Sequence, residues 1–562
     1  MLSKSYVHGS NGSQLLGETL GSNFDSAAEL WGEREALIVR HQNIRWTYRE
    51  LQKRVNAFAA GLLGIGLKPG DRIGIWSQNN SEWVVTQYAT AKAGLILVNI
   101  NPAYRLSELE YAINKVGCRA LILSESFKSS DYVAMIRELA PEVDMNSPGG
   151  LDSKRLPTLN SVIQIGGKIG PGFFDFAKIP QMALPDSHDR IKKLEQILQF
   201  DDPINIQFTS GTTGFPKGAT LTHFNVLNNG YSTGEGLRFS PGDRLCVPVP
   251  LYHCFGMVLS NIAALTHGAT LIYPDESFEP LAVLEAVEAE QCTALHGVPT
   301  MFIAELEHPR FQEFDLSSLR TGIMAGSPCP IEIMRRVVSE MHCSEMTIAY
   351  GLTETSPIIS QTAIGDPLEK QVSTVGTVFP HVEAKIIDKD GCIVRLGETG
   401  QLLARGYSVM REYWAEPDRT AESIDDAGWM HTGDLATMDA DGYLNIVGRL
   451  KDMVIRGGEN VYPREVEEYL YPHPKISDVQ VIGVPDSRYG EELCVWIIVK
   501  SGETLIEDEV RAFCKGQIAH YKIPKYIKFV QDFPMTITGK VQKFAMRDAM
   551  IKELGLKTQD TA

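Results

Sequence analysis

The chain has 562 residues, of which 43% are hydrophobic and 22% charged, a mixture typical of a soluble globular protein with roughly two to four domains. Its formal net charge of -17 argues against nucleic acid or an anionic membrane as the main partner. Phosphate ligands remain compatible with this charge, because local cations and backbone N–H groups bind them.

Cysteine usage and the N-terminus together indicate a reducing compartment. The nine cysteines are irregularly spaced and include no C-x-x-C pair, so we expect free thiols and no zinc site. The first 20 residues have neither the apolar core of a signal peptide nor the pattern of a transit peptide. The apolar stretch 248–273 is interrupted by polar residues and falls short of the ~20 apolar residues that a membrane span needs. We therefore expect a cytoplasmic protein without a transmembrane segment.

Short apolar runs alternate with helical periodicity over about the first 450 residues. This alternation predicts an α/β fold with largely parallel sheets covered by helices. In chain order it predicts strands at 72–76, 95–100, 120–123, 204–208, 245–249, 270–272, 293–295 and 322–324, and helices at 81–93, 106–116, 257–265 and 280–290.

Two stretches depart from this pattern. Residues 142–190 are rich in Gly, Pro, Ser and Asp and predict an irregular excursion. From about residue 382, short polar strands alternate with turns, which predicts a small antiparallel β unit. After residue 449 the pattern predicts a compact α+β segment, with helices at 464–470 and 506–514 and strands at 479–484, 493–499 and 526–529. We therefore expect an N-terminal domain (1–448), a hinge (449–452) and a small mobile C-terminal domain (453–562).

The segment Thr209–Gly218, TSGTTGFPKG, follows the predicted strand at 204–208 and contains four hydroxyl side chains, three glycines and one lysine. Glycines let the backbone approach an anion closely, hydroxyls donate further hydrogen bonds, and Lys217 adds a positive charge. The segment is not a Walker A loop, because Pro216 replaces the glycine before the lysine and Gly218 replaces the Ser/Thr that binds magnesium. The composition favours phosphate binding, with a polar turn that binds nothing as the alternative.

Four further segments stand in a fixed order after TSGTTGFPKG. They are AGSPCP (325–330), YGLTETSP (350–357), the long segment 428–467, and PMTITGKVQK (534–543). Together these segments resemble the motifs of the adenylate-forming superfamily, which includes acyl-CoA synthetases, firefly-type luciferases and the adenylation domains of peptide synthetases. The segments PLYHCFGM, VIRGGENVYPREVEEYL and FCKGQIAHYKIPKYI are most similar to the medium-chain fatty acyl-CoA synthetase branch.

The resemblance implies an ATP-dependent acyl-CoA synthetase that converts a carboxylic acid, ATP and CoA into acyl-CoA, AMP and diphosphate through an acyl-adenylate. A free carboxylate resists nucleophilic attack, and the mixed anhydride with AMP removes that resistance. The resemblance implies that Lys540 bridges the carboxylate and the α-phosphate, that Glu354 binds Mg²⁺, and that Thr353 lies close to the α-phosphate. A solvated loop lysine is the alternative for Lys540.

The resemblance also assigns contacts to the nucleotide. Gly326 and Ser327 are expected on one side of the adenine and Tyr350 on the other, while Asp434 and Arg449 meet the ribose hydroxyls. The alternatives are a core aromatic for Tyr350, a turn aspartate for Asp434 and a surface ion pair for Arg449. The phosphates are expected to bind at Thr209, Ser210, Gly211, Thr212, Thr213, Gly214, Phe215, Pro216 and Lys217.

Lys451 falls at the position of the family's hinge, about which the C-terminal domain rotates between the two half-reactions. The first arrangement brings in Lys540, and the second replaces it with Gly457 and Gly458, which approach the pantetheine of CoA. A hinge needs only a few residues that absorb a change of backbone conformation. A simple turn between two strands is the alternative for the glycine pair.

The segment 251–264, LYHCFGMVLSNIAA, contains no acidic residue. An α-amino acid substrate would lack a counter-ion for its ammonium group, so we expect an apolar acid. The small residues Gly256, Ala325 and Gly326 leave room for a chain, and His253 lines the pocket or is a structural histidine. The resemblance implies medium chain length, with short, long and aromatic acids left open.

Two other readings remain open at the level of sequence. The first is another adenylate-forming enzyme, which passes the acyl group to a carrier protein instead of CoA or acts as a luciferase-like oxygenase. No insertion typical of fatty acyl-AMP ligases is evident near the hinge. A nucleotide-binding protein without activity is the second, and the presence of Lys540, Glu354 and Asp434 argues against it. The sequence leaves the oligomeric state open between a monomer and a homodimer.

Overall fold

Among the described residues, three sheets of five to nine strands and a two-stranded sheet form the N-terminal part of the protein, and one further sheet forms the C-terminal part. The structure is a computed structural model that describes residues 3–209, 216–327, 329–456, 459–486, 488–536 and 540–556. In chain order the strands before residue 450 are β1 (Tyr6–His8), β2 (Glu35–Val39), β3 (Ile44–Thr47), β4 (Arg72–Trp76), β5 (Ile96–Asn99), β6 (Cys118–Ser124), β7 (Ser126–Phe127), β8 (Ser130–Asp131), β9 (Ser161–Ile165), β10 (Phe173–Asp175), β11 (Pro203–Thr209), β12 (Lys217–Thr222), β13 (Arg244–Cys246), β14 (Thr270–Tyr273), β15 (Ala294–Gly297), β16 (Thr321–Ala325), β17 (Glu345–Gly351), β18 (Ile358–Gln361), β19 (Thr377–Val378), β20 (Val382–Ile387), β21 (Gly400–Gly406), β22 (Glu412–Tyr413), β23 (Met430–Met438) and β24 (Leu444–Arg449).

Helices cover both large sheets. In chain order they are α1 (Leu20–Trp31), α2 (Tyr48–Gly64), α3 (Ser81–Lys92), α4 (Leu106–Val116), α5 (Tyr132–Leu139), α6 (Ser187–Ile197), α7 (His223–Gly236), α8 (Ala263–Leu265), α9 (Pro280–Glu290), α10 (Pro299–Leu306), α11 (Ile331–Glu340), α12 (Leu368–Ser373), α13 (Pro417–Ser423), α14 (Pro463–Leu470), α15 (Glu507–Cys514) and α16 (Lys543–Leu554).

The eight-stranded sheet carries the strand that precedes the glycine-rich segment. Its order is β10-β9-β6-β4-β5-β11-β12-β22, parallel from β10 to β11 and antiparallel at β12 and β22. Strand β11 ends at Thr209. The glycine-rich segment therefore begins at the carboxyl edge of the parallel strands, where open α/β sheets bind their ligands.

The nine-stranded sheet places two more of the sequence motifs at such an edge. Its order is β19-β18-β17-β16-β15-β13-β14-β2-β3, and β2 to β17 are parallel. Strand β16 ends at Ala325 and β17 at Gly351, so AGSPCP and YGLTETSP continue from neighbouring carboxyl ends. Two largely parallel sheets with helices packed on them confirm the predicted α/β class.

The smaller N-terminal sheet is antiparallel, as predicted from residue 382 onward, with the order β1-β20-β21-β23-β24. The C-terminal sheet follows with β25 (Val454–Arg456), β26 (Glu459–Val461), β27 (Ile476–Asp486), β28 (Gly490–Val499) and β29 (Tyr526–Phe529). The predicted hinge 449–452 lies on the connection between β24 and β25, which belong to different sheets. Movement about that connection stays a prediction.

Helix α2 follows directly from its sequence pattern. The Thr47 hydroxyl accepts the N–H of Glu50, and the Glu50 carboxylate accepts the N–H of Thr47, which completes a capping box. Apolar residues then recur at helical spacing on one buried face, at Leu51, Val55, Phe58 and Leu62. This face belongs to the large core that is shared by helices and strands of both large sheets.

The expected irregular excursion at 142–190 is wrong. Strands β9 and β10 lie within it and extend the eight-stranded sheet by two parallel strands, and α6 begins at Ser187. The glycines and prolines of this stretch occupy the connections, whereas the run SVIQI supplies a buried strand. Composition averaged over the whole stretch hid this short run.

The strand predicted at 245–249 is shorter in the structure, because β13 ends at Cys246. Pro248 and Pro250 follow, and proline supplies no N–H to a sheet. The helix predicted at 257–265 begins earlier, as a π-helix over Phe255–Ile262 that continues into α8. The Gln87 side chain inserts into this helix, where its amide donates to the Met257 carbonyl at 3.1 Å. An inserted side chain is one cause of a locally irregular helix.

No helix in the described part of the chain combines the length and the apolar character needed to cross a membrane.

Candidate active site

The glycine-rich segment joins β11 to β12. Thr209 at the end of β11 pairs with Lys217 at the start of β12, so the two ends of the segment lie side by side. Tyr111 donates its hydroxyl to the Pro216 carbonyl at 3.2 Å. The predicted phosphate-binding residues between these ends lie outside the described residues: Ser210, Gly211, Thr212, Thr213, Gly214 and Phe215.

Glu354 lies on a short 3₁₀ helix, Thr353–Thr355, directly after β17, and is largely buried. Its Oε1 accepts two hydrogen bonds, from the Thr209 hydroxyl at 3.1 Å and from the Tyr413 hydroxyl at 2.8 Å. Its main-chain carbonyl accepts the N–H of Met410 at 2.8 Å. The predicted magnesium ligand therefore contacts the start of the predicted phosphate loop. Thr353 lies beside it, with its Oγ1 3.8 Å from the Cys254 sulfur.

Tyr350, Asp434 and Arg449 form one hydrogen-bonded group. The Tyr350 hydroxyl donates to Asp434 Oδ2 at 2.6 Å, and Arg449 Nε lies 3.0 Å from Asp434 Oδ1. Burial raises the pKa of the Asp434 carboxyl, and the positive charge of Arg449 opposes that shift. The three residues predicted to contact adenine and ribose are thus neighbours, although β17, β23 and β24 belong to two different sheets.

Lys540 reaches this group from the C-terminal part of the chain. A Cβ placed on Gly326 would lie 3.7 Å from Lys540 Cε, so the lysine side chain passes directly over the turn after β16. Burial lowers the pKa of the Lys540 ammonium; Cys254, Asp434 and Glu354 oppose that shift, while Arg449 adds to it. Two hydrogen bonds join Lys540 to Thr536. The Thr536 N–H donates to the Lys540 carbonyl at 2.7 Å, and the Lys540 N–H donates to Thr536 Oγ1 at 3.0 Å.

Two features of the structure favour glycine at position 326. Its φ of +94° lies in the left-handed region, and a Cβ there would lie 3.1 Å from Val298 Cγ1. A larger residue would also enter the space that Lys540 occupies. Ser327 follows on the same turn, where its carbonyl lies 3.6 Å from the Cys329 sulfur.

Lys451 lies close to the same group. Burial lowers the pKa of its ammonium, and the positive charges of Arg449 and Lys217 add to this lowering. Around it, the Arg449 carbonyl accepts the N–H groups of Asp452 and Met453, each at 3.1 Å, which closes a tight turn. The predicted CoA-side glycines, Gly457 and Gly458, lie outside the described residues.

Two family models match this chain. The family described as AMP-binding enzyme matches residues 24–414, and its C-terminal domain family matches residues 465–540. The chain belongs to the AMP-binding enzyme family. This confirms the adenylate-forming superfamily that the motifs resembled.

Relatives of this AMP-binding enzyme match along nearly their whole length. It is 48% identical over 558 residues to the mitochondrial medium-chain acyl-CoA ligase ACSF2 of Danio rerio, covering 99% of this chain and 92% of the relative. The chain is 45% identical over 558 residues to ACSF2 of Homo sapiens, covering 98% of this chain and 91% of the relative.

Two solved structures share the fold of this AMP-binding enzyme. The anthranilate CoA ligase AuaEII in complex with anthranoyl-AMP has a TM-score of 0.84 at 25% identity, covering 97% of this chain and 99% of that one. ATP-bound MatB from Rhodopseudomonas palustris has a TM-score of 0.80 at 28% identity, covering 95% and 99%.

The residues predicted to line the acyl pocket of this AMP-binding enzyme have mixed surroundings. Ala325 is buried at the end of β16. His253 accepts the Phe255 N–H at Nδ1, and burial together with the Lys540 charge lowers its pKa to about 3, so its imidazole is neutral. A Cβ on Gly256 would lie 2.4 Å from the Pro250 carbonyl oxygen, so this glycine permits close main-chain packing rather than leaving space for a substrate.

Sequence reasoning missed Tyr413, which contacts two predicted site residues. Its hydroxyl binds Glu354, and Lys217 Nζ lies 4.3 Å from the centre of its ring. Cys254, which faces Thr353 and lies near Lys540, was also missed. No local signal marks Tyr413, which reaches the site through the pairing of β22 with β12. For Cys254 the available signal was its place directly after His253, in the segment PLYHCFGM.

Proposed function

We propose that this AMP-binding enzyme is an ATP-dependent acyl-CoA ligase that forms an acyl-adenylate and then transfers the acyl group to the thiol of CoA. The observation that carries the proposal is the position of Lys540 over Gly326, in the group that contains Glu354, Asp434 and Arg449. Gly326 and Lys540, which are more than 200 positions apart along the sequence, thus meet at one site. Such a site brings an acid and ATP together in a fixed orientation.

In the first half-reaction, a carboxylate oxygen attacks the α-phosphorus, an O–P bond forms, and diphosphate leaves with the electrons of the broken bond. Negative charge accumulates on the α-phosphate during this step. Lys540 supplies a positive charge at that point, and two arriving anions favour its ammonium form over the neutral amine. In the second half-reaction, the CoA thiolate attacks the acyl carbonyl, and AMP is the leaving group.

The donor set at Glu354 fits Mg²⁺. Its Oε1 is occupied by two hydroxyl donors, and within the described part of the chain no donor is recorded on Oε2. Mg²⁺ in ATP-using enzymes is commonly bound by one or two carboxylates together with phosphate oxygens and waters. When bound, the ion would reduce the negative charge of the phosphates. Glu354 would hold it, beside Thr353 and the start of the glycine-rich segment.

For the nucleotide, the Asp434 carboxylate offers acceptors to the ribose hydroxyls, because a carboxylate is a pure acceptor. Tyr350 and Arg449 hold that carboxylate in place through its two oxygens. Gly326 and Ser327 would then lie on one side of the adenine ring, and Tyr350 on the other. Together with the glycine-rich segment, these residues account for ATP as the co-substrate.

Medium-chain fatty acids are the proposed acid substrates. The relatives of Danio rerio and Homo sapiens are named medium-chain acyl-CoA ligases, and the buried segment 251–264 contains no acid that would pair with an amino-acid ammonium. The fold similarity to an anthranilate CoA ligase favours an aromatic acid as the second candidate.

A panel of acids separates these candidates. Straight-chain acids from C2 to C16 and benzoates, each with ATP and CoA, would be compared by diphosphate release and by acyl-CoA formation. We expect kcat/KM to be largest between about C6 and C12 and to fall by roughly tenfold for every two methylenes removed, because a buried CH₂ contributes about 0.8 kcal/mol. A maximum on benzoates contradicts the proposed substrate, and diphosphate release without acyl-CoA contradicts CoA as the acceptor.

Rotation of the C-terminal domain about Lys451 is proposed to bring Gly457 and Gly458 to the site for the second half-reaction. Lys451→Pro should leave acid-dependent pyrophosphate exchange within about threefold of wild type and lower thioester formation from supplied acyl-AMP by more than about 100-fold, because proline fixes φ near −65°. Lys451→Ala, which removes the charge and keeps backbone freedom, is the matched control. Equal losses of both half-reactions in Lys451→Pro contradict a hinge at this residue.

A further inference from the structure

Tyr413 lies between the predicted magnesium ligand and the lysine of the glycine-rich segment. Its hydroxyl donates to Glu354 Oε1 at 2.8 Å, and Lys217 Nζ lies 4.3 Å from its ring centre. The residue is only 3% exposed. One side chain therefore contacts both the Glu354 carboxylate, which is proposed to bind Mg²⁺, and the Lys217 ammonium, which is proposed to bind the phosphates.

The backbone around Tyr413 is attached to both of these partners. Strand β22 pairs with β12, where Tyr413 lies opposite Ala219, and Trp414 donates its N–H to the Gly218 carbonyl at 2.8 Å. On the other side, the Met410 N–H binds the Glu354 carbonyl at 2.8 Å. The main chain of residues 410–414 is therefore hydrogen-bonded both to Glu354 and to Gly218, the residue after Lys217.

The Tyr413 hydroxyl is the donor in its bond to Glu354, because an ionised carboxylate can only accept a hydrogen bond. A hydrogen bond from a neutral donor to a carboxylate is among the stronger ones in proteins and fixes the rotation of the carboxyl group. With Oε1 held by Tyr413 and Thr209, the orientation of Oε2 is also determined.

We propose that Tyr413 is a positioning residue for adenylation, which fixes the Glu354 carboxylate and the Lys217 ammonium relative to each other. The inference rests on the proposed function, in which Glu354 binds Mg²⁺ and Lys217 binds the phosphates of ATP. Tyr413 itself contacts neither the acid nor the reacting phosphorus in this account. Its hydroxyl acts on Glu354, and its ring acts on Lys217.

Tyr413→Phe removes the hydroxyl and keeps the ring. We expect the Mg²⁺ concentration that half-saturates acid-dependent pyrophosphate exchange to rise about tenfold, the magnitude of one lost hydrogen bond to a charged group. The KM for the acid and the rate of thioester formation from supplied acyl-AMP should stay within about twofold. Tyr413→Leu should also raise the KM for ATP by about fivefold, because the ammonium of Lys217 loses its aromatic contact.

A direct binding measurement gives a second readout. Calorimetric titration of the enzyme with ATP, with Mg²⁺ and in EDTA, should show that Tyr413→Phe removes about tenfold of the affinity gained from Mg²⁺ and leaves the affinity in EDTA unchanged. Tyr407→Phe is the matched control. It removes a buried tyrosine hydroxyl from the same connection, where the hydroxyl lies 3.5 Å from Asn228 O and Ser232 Oγ.

Three results would overturn the inference. The first is a Mg²⁺ dependence that is the same in Tyr413→Phe and Tyr407→Phe but altered in Glu354→Gln. This result rejects the role of Tyr413 and keeps the assignment of magnesium to Glu354. Another is an equal loss of both half-reactions in Tyr413→Phe together with a lowered Tm, which indicates a structural role only. The last is an unchanged Mg²⁺ dependence in Glu354→Gln, which overturns the assignment of magnesium to Glu354 together with the role of Tyr413.

Discussion

Replacement of Lys540 by alanine should lower acid-dependent pyrophosphate exchange by about 10²- to 10³-fold, the loss typical of removing one group that stabilises transition-state charge. The lysine side chain passes over Gly326 and lies among Asp434, Glu354 and Arg449, so its removal leaves the α-phosphate without a cation from the C-terminal part. Thioester formation from supplied acyl-AMP and CoA should stay within about threefold, because that step does not use Lys540 in the proposed mechanism.

Lys552→Ala is the matched control for this substitution. Lys552 is exposed on α16, in the same C-terminal part of the chain, and should change neither half-reaction. Both half-reactions would be measured separately, the first by isotope exchange and the second by acyl-CoA release. A Lys540→Ala variant that exchanges pyrophosphate at a rate near wild type contradicts the role given to this lysine.

Glu354→Gln should lower pyrophosphate exchange by about 10²-fold and raise the half-saturating Mg²⁺ concentration. Glutamine keeps an oxygen that accepts the hydroxyls of Thr209 and Tyr413, so the hydrogen bonds of Oε1 are retained and only the charge is lost. The measurement is a Mg²⁺ titration of exchange at saturating acid and ATP. A full exchange rate with unchanged Mg²⁺ dependence contradicts the assignment of the metal to this carboxylate.

Glu305→Gln provides the control for that experiment. Glu305 is also a buried glutamate, on α10, and burial raises the pKa of its carboxyl well above the usual range. That shift favours the neutral acid, which glutamine resembles in shape and charge. Exchange and Mg²⁺ dependence should therefore match wild type, with any change confined to stability.

Much of the candidate site was predictable from sequence because its chemistry is concentrated in short segments at the ends of strands. Lys540, Glu354, Asp434, Arg449 and Tyr350 each lie in a motif whose residue types suit the phosphate, metal and ribose contacts that we propose for them. The structure places these five residues in one group. Alternating strands and helices likewise predicted the parallel sheets, since buried parallel strands are short apolar runs between helices.

Other features depend on pairing that no local pattern reveals. Tyr413 reaches Glu354 because β22 pairs with β12 at the far edge of the eight-stranded sheet. Gly256 reads as a small pocket residue, yet its missing Cβ is required by the Pro250 carbonyl. Strands β9 and β10 were missed because turn-forming residues surround a short apolar run. For Tyr413 and Gly256, long-range packing rather than local preference decides the outcome.

The most direct test of the central claim is isotope exchange between pyrophosphate and ATP with octanoate as the acid and no CoA present. We expect exchange that requires octanoate, requires Mg²⁺ and is lost in Lys540→Ala, because the first half-reaction is reversible and complete without CoA. Exchange that is absent from wild type, or that proceeds equally without any acid, would contradict an acyl-adenylate site formed by both parts of the chain.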